Sequence, residues 1–173
     1  MPPGLRKIVL IAHVVSSVGW FGAVAAFLAL AIAGLTGHDA RLVRAAYLAM
    51  ELTGWYVIVP LSLASFLTGL VSSVGTTWGL FRYYWVVVKL VIIIPATILL
   101  LVHMQPISDV ARAAAETTLS ATDLQRLRIE LVAEAGAALV VLLVATTLSV
   151  YKPRGMTAYG WRKQQEQRTA SQP

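Results

Sequence analysis

The sequence predicts an all-α integral membrane protein, an up-down-up-down bundle of four transmembrane helices. Three observations lead there. Hydrophobic residues make up 58% of the 173 residues and charged residues only 13%, against about 45–50% apolar and about 25% charged in a soluble domain. The apolar residues fall into four runs, each long enough for the roughly 20 residues that a spanning helix needs. These runs do not alternate between apolar and polar residues, which argues against strands.

The first run is about 8–35, with no charged residue and one histidine. Arg6 and Lys7 precede it as they would a secretory signal, but it is about twice the length of a signal core and three more runs follow. A retained first span is therefore expected. The second run, about 48–74, carries Glu51 near its start, the third, about 83–104, carries Lys89, and the fourth, about 131–151, carries Glu134. The transmembrane domain thus covers 1–151, and 152–173 reads as a basic cytoplasmic tail that frays in water. The segment from Gln105 to Glu130 reads as the one sizeable loop, with Ser108 capping a short helix through Ala111–Glu116 and Ser120 or Thr122 capping the approach to the fourth span.

Lys and Arg in the short loops set the expected orientation. Arg6, Lys7, Arg82, Lys152, Arg154, Arg162, Lys163 and Arg168 fall on one side. Arg41, Arg44, Arg112, Arg126 and Arg128 fall on the other, interspersed with Asp39, Asp109, Glu116, Asp123 and Glu130. The first side is the more basic and is expected to be cytoplasmic, with both termini on it. The net charge of +6 is read as this topology signal facing anionic lipid. No basic stripe interleaved with aromatics suggests nucleic acid. Cysteine is absent, which excludes disulfides and thiolate chemistry from this sequence.

Small residues four apart predict close helix packing: Gly19 with Ala23, Gly22 with Ala26, Gly69 with Ser73. Pro60 removes a backbone donor and predicts a bend in the second span. Trp55, Tyr56, Trp78, Tyr83, Tyr84, Trp85 and Tyr151 fit an interfacial aromatic belt, whereas Trp20 lies deeper.

Ionisable groups at membrane depth cost several kcal/mol (about 2.5–3.5 for a Lys at the helix centre), so each is a functional candidate. His13 and Lys89 lie about five and six residues into their spans from the same side, at one level. Ser65 and Thr68 on the second span, and Thr146, Thr147 and Ser149 on the fourth, share that level. His103 ends the third span on the opposite side, near Glu51 and Glu134. One helical stripe joins His13, Ser16, Trp20, Val24 and Phe27, and another joins Arg82, Trp85, Lys89, Ala96, Leu100 and His103. Two polar layers about 20 Å apart are expected if the stripes face each other. Each group also has a plainer reading. Lys89 snorkels to headgroups, His13 hydrogen-bonds a neighbouring serine, His103 is interfacial, and Glu51 and Glu134 pair with Arg44 or Arg128 at the surface.

Histidine inside a helical bundle is the usual protein ligand of haem iron, and a lysine near the interface suits a haem propionate. The cofactor expected is haem b, with His13 on the iron and Lys89, Trp20, Ser16, Thr68 and Trp85 lining the site. His103 is a second candidate metal ligand, with Met50, Glu51 and Met104 nearby for a weak copper site. No nucleophile–base–orienter triad, phosphate loop or paired-histidine zinc motif occurs in the sequence.

The stretch His13-Val-Val-Ser-Ser-Val-Gly-Trp20-Phe-Gly22 resembles the His-x6-Trp-x-Gly opening shared by the copper resistance D (CopD) family and the HemJ-type protoporphyrinogen oxidases, which bind haem b. Tyr84-Trp85-Val-Val-Val-Lys89-Leu resembles their Trp-x3-Lys motif. The chain as a whole looks most similar to small bacterial integral membrane proteins of unknown function within that broader four-helix set. The resemblance covers about residues 8–105. It implies a multi-pass protein of the bacterial cytoplasmic membrane, with His13 as haem ligand and Lys89 as a pocket residue or second ligand. HemJ-type enzymes carry a Tyr-Leu-Pro-Arg-Leu-like stretch and a further histidine after the first Trp, where this chain has Ala-Val-Ala-Ala-Phe-Leu-Ala-Leu. Haem binding therefore carries over and porphyrinogen oxidation does not. The function expected is electron transfer or haem-dependent redox chemistry, as in a membrane oxidoreductase, with lipid, haem and a quinone or other redox partner, and homo-oligomers allowed. The alternative is a transport or metal-handling protein that uses the intramembrane His, Lys and Glu as a path.

Overall fold

In a computed structural model of the chain, residues 2–75, 80–116, 121–153 and 155–170 are described, without the side chains at 106, 110–116, 121–124 and 170. Trp78, Ser120, Arg154 and the side chains of Arg112, Glu116, Thr122 and Asp123 lie outside the described residues.

Helix α1, Pro3–Thr36, opens with proline in its first turn, where the missing N–H would have no helical partner anyway. It stops at Gly37, whose N–H bonds the Ala33 carbonyl. A Cβ on Gly37 would lie 2.7 Å from that carbonyl oxygen and 2.9 Å from Val43 Cγ2, so the turn into the next helix closes tightly only around glycine. Asp39 caps α2, Ala40–Thr53, by accepting from the Arg41 N–H at 2.9 Å.

The second span is one long helix, Ala40–Val74, interrupted by a π turn over Gly54–Ile58 before α3, Val59–Val74. The Val59 N–H reaches back five residues to the Gly54 carbonyl. Pro60 follows directly; it has no N–H for the Tyr56 carbonyl and its ring crowds that oxygen. The widened turn is the local solution, and such a break in the ladder is one of the identifiable causes of helix bending. At the same place Met104 lies against Gly54, with Sδ 3.2 Å from where a Cβ would be.

Helix α4, Tyr84–Glu116, and helix α5, Ala121–Tyr151, complete the set. Among the described residues, four helices are long and apolar enough to cross a membrane: Pro3–Thr36, Ala40–Val74, Tyr84–Asp109 and Gln125–Tyr151. Among the described residues there is no strand, only an isolated bridge between Tyr83 and Met156.

Two expectations are corrected here. Residues 105–116 and 121–130 are helical, not a loop with a short capped helix. Helix α4 runs straight through Ser108, which accepts a hydrogen bond from Trp55 Nε1 at 3.3 Å instead of capping. The run Val110-Ala-Arg-Ala-Ala-Ala-Glu116 is too polar for lipid but rich in the best helix former, so hydropathy ends there and the helix does not. Nor are the described residues of the tail irregular throughout. Residues 158–170 form helix α6, Ala158–Ala170. Thr157 caps it by accepting from the Gly160 N–H at 3.1 Å, and its own N–H donates to the Arg82 carbonyl at 3.1 Å. Gly160 sits so close to that carbonyl that a Cβ would collide with it, and Arg82 Nη2 donates to Gln167 Oε1 at 3.0 Å. The start of α4 is thus tied to the C-terminal segment.

Two pairs of helices run antiparallel where their side chains meet. As numbers rise along α1 they fall along its neighbour, from His13 against Ser65 and Thr68 to Gly34 against Tyr47. Lys89 with Ser149 and His103 with Glu134 do the same for α4 and α5. Helix α1 packs on α2, α3 and α5, and α4 on α2 and α5 with a shorter contact to α3, so α1 and α4 stand on a diagonal. The expected α1 stripe is the buried one: Ser16, Trp20, Val24 and Phe27, continued by Ala31 and Gly34. Ile93 and Leu100 of α4 pack against the same core from across the diagonal. Of the small-residue pairs, Gly19 and Gly69 sit at helix contacts, whereas Gly22 has nothing near it.

Candidate functional site

His13 is held by the second span. Its Nδ1 lies 3.0 Å from the backbone oxygen of Ser65 and 3.3 Å from Thr68 Oγ1. A carbonyl only accepts, so Nδ1 carries the hydrogen. The Thr68 hydroxyl donates to the Ala64 carbonyl at 2.6 Å, which leaves its oxygen as a second acceptor for that hydrogen. In the neutral ring the lone pair is then on Nε2, which has no hydrogen-bond partner among the described residues.

The ring owes this seat to Gly69. A Cβ there would lie 2.9 Å from His13 Cε1 and 3.3 Å from Nδ1. One turn along α1, Ser17 Oγ and Ser65 Oγ meet at 2.7 Å. Next, a Cβ on Gly19 would lie 3.2 Å from Leu61 Cδ1. The α1–α3 seam is therefore close-packed and polar at one end and apolar at the other, as expected where small residues let backbones approach.

Lys89 turns into the bundle: Nζ donates to Ser149 Oγ on α5 at 2.6 Å, and that hydroxyl donates to the Ala145 carbonyl at 2.8 Å. The remaining two ammonium hydrogens have no partner among the described residues.

The expected lining residues divide. Thr68 touches His13. Ser16 is buried beside it but turns its hydroxyl back to the Ala12 and His13 carbonyls at 2.8 and 3.1 Å. Trp20 is in the apolar core with Val24 and Phe27. Trp85 is half-buried near the start of α4.

His103 belongs to a different layer. Its Nδ1 lies 2.9 Å from the Leu99 carbonyl oxygen of its own helix, and its Nε2 lies 2.8 Å from Glu134 Oε1. This corrects the expectation that Glu134 pairs with an arginine, because α5 turns Glu134 to α4. Arg128 instead lies over the Tyr47 ring, 5.3 Å from its centroid, an attraction of charge to the ring's negative face. The weak copper site gains nothing. Met50 and Met104 are fully buried packing residues, and no group of three or more His, Asp or Glu lies together among the described residues.

Sequence reading missed Ser17 and the role of Gly69. Both follow from which helix faces α1, and hydropathy does not encode that. It also missed Tyr47, whose ring fills the gap left by Gly34: a Cβ there would lie 2.7 Å from Tyr47 Cζ. Comparison with protein-family models, with curated proteins and with solved structures finds no match to this chain.

Proposed function

We propose that this chain is a haem b-binding membrane protein that carries out electron transfer or haem-dependent redox chemistry, with His13 as the iron ligand. The observation behind this reading is the His13 ring itself: Nδ1 is committed to the Ser65 carbonyl and Nε2 is left free. That is the arrangement that orients a metal-ligating histidine and raises the basicity of its coordinating nitrogen. Lys89, with two unspent donors, suits a propionate as an ammonium, and would suit the sixth position only as the neutral amine. Haem held there supplies one-electron exchange at iron. The chain's own part is to fix the ring through Ser65 and Thr68 and to keep Gly69 clear of it. The four apolar helices form an up-down-up-down bundle in this reading, in a bacterial cytoplasmic membrane with both termini inside. The haem lies in the cytoplasmic half, and a quinone or another redox protein is the electron partner.

An absorption spectrum of the detergent-purified protein, oxidised and reduced, tests the cofactor. A Soret band with reduced α and β bands is expected, and a colourless protein after growth with ample iron and haem precursor refutes the reading. Reporter fusions after Gly37 and after Pro173 are expected on opposite sides of the membrane, and the same side for both refutes the topology.

A second reading, proton- or ion-coupled transport, draws on the titratable groups at two levels and the buried hydroxyls of Ser62 and Thr97 between them. It expects a colourless protein whose activity appears only in sealed vesicles.

A further inference from the structure

The proton content of the His103–Glu134 contact can be read from its heavy atoms. The Leu99 carbonyl only accepts, so Nδ1 of His103, 2.9 Å away, carries a hydrogen. Nε2 and Glu134 Oε1 are 2.8 Å apart. Two bare lone pairs repel at that distance and two hydrogens do not fit, so one hydrogen lies between them. The couple therefore holds two protons over three positions. It is neutral overall whether it is written as imidazolium with carboxylate or as imidazole with carboxylic acid. Neutrality suits two helices that are both apolar enough to span a membrane. The side chains are 30% and 36% exposed, so the shared hydrogen borders the surface of the α4–α5 seam.

Other charged groups stand on the same helices and on those packed against them. On α5, Glu130 stands one turn from Glu134 and is held by Arg126 at 2.9 Å, and Arg128 lies over Tyr47. On α4, Asp109 has a partner of its own. Helix α2, packed on α4, brings Arg41, Arg44 and Glu51. Helix α1, packed on α5, has no ionisable side chain between His13 and its end at Thr36.

We propose that His103 and Glu134 form a proton-binding site that clasps α4 to α5 when loaded. Release breaks only the bond between the shared hydrogen and Nε2 or Oε1, and the proton passes to water, or to hydroxide to give water. The lone pairs of Nε2 and Oε1 then face each other and the clasp opens. The site is separate from His13, since it lies about four turns along the bundle from the Lys89 level, and it operates with or without a cofactor there.

The test uses the full chain in lipid nanodiscs, with 15N-labelled histidine and 13Cδ-labelled glutamate. The sequence has only three histidines, His13, His38 and His103, so single His→Gln variants assign the signals. As base removes the shared proton, His103 Nδ1 is expected to stay protonated while Nε2 and Glu134 Cδ move together; uptake of a further proton by the pair in acid is a separate step. Amide exchange in α4 around His103 is expected to rise across the release step. Glu134→Gln should abolish the joint movement of the two signals. A Glu134 Cδ that stays still while Nε2 moves at the release step, a His103 ring with bare Nδ1, or amide exchange unchanged across that step would each overturn the proposal. The wild-type titration decides this even if the variant does not fold.

Discussion

His13 and His103 begin alike: each gives its Nδ1 hydrogen to a backbone carbonyl. They differ in where that carbonyl lies and in what the other nitrogen meets. His13 reaches across to Ser65 on another helix and keeps Nε2 free, whereas His103 bonds its own helix at Leu99 and spends Nε2 on Glu134. A histidine at membrane depth must satisfy its polar edges inside the protein. The residue facing the second nitrogen therefore decides whether the ring is a ligand in waiting or a closed clasp. Residue type and the Nδ1 bond to a carbonyl are shared by the two, and the partner of Nε2 separates them.

Three substitutions sharpen this contrast, in order of expected size. Gly69→Val puts a side chain where the His13 ring lies. It should cost about 1–3 kcal/mol by overpacking and displace the ring from Ser65, whereas Gly22→Val, in open space, should stay within about 0.5 kcal/mol. Thermal unfolding in detergent compares the two, and equal losses would mean that Gly69 is not the seat of the ring. Glu134→Ala strips the clasp from His103 and should cost about 0.6–1.7 kcal/mol, the range for polar contacts between membrane helices. It should leave the His13 signals in place, and a shift of His13 would break the independence of the two layers. Ser17→Ala removes only the hydroxyl contact to Ser65 and should cost roughly 0.6 kcal/mol. A larger loss would show that the α1–α3 seam depends on that bond more than on its close packing.

The parts legible in the sequence were those set by distance along the chain. Four apolar runs of spanning length, the irregular ladder before Pro60, the buried stripe from Ser16 to Phe27 and the shared level of His13 and Thr68 all follow from hydropathy, helical pitch and proline chemistry. The parts that were not legible depend on which helix stands beside which. Glu134 had arginines near it in sequence and a histidine near it in space. Gly69 reads as a small packing residue until His13 is placed against it. The C-terminal helix is held by Arg82, a residue far away in the chain, through backbone groups and a glycine contact that carry no hydrophobic signature.

The central claim is that His13 and not His103 holds haem, and the haem-to-protein ratio in matched variants tests it most directly. Wild type, His13→Ala and His103→Ala are purified in parallel, and haem is measured by absorbance against total protein. The account predicts that His13→Ala loses the haem or changes its spectrum strongly, while His103→Ala keeps both near wild type, because its ring is committed to Leu99 and Glu134. Haem retained in His13→Ala and lost in His103→Ala would contradict it.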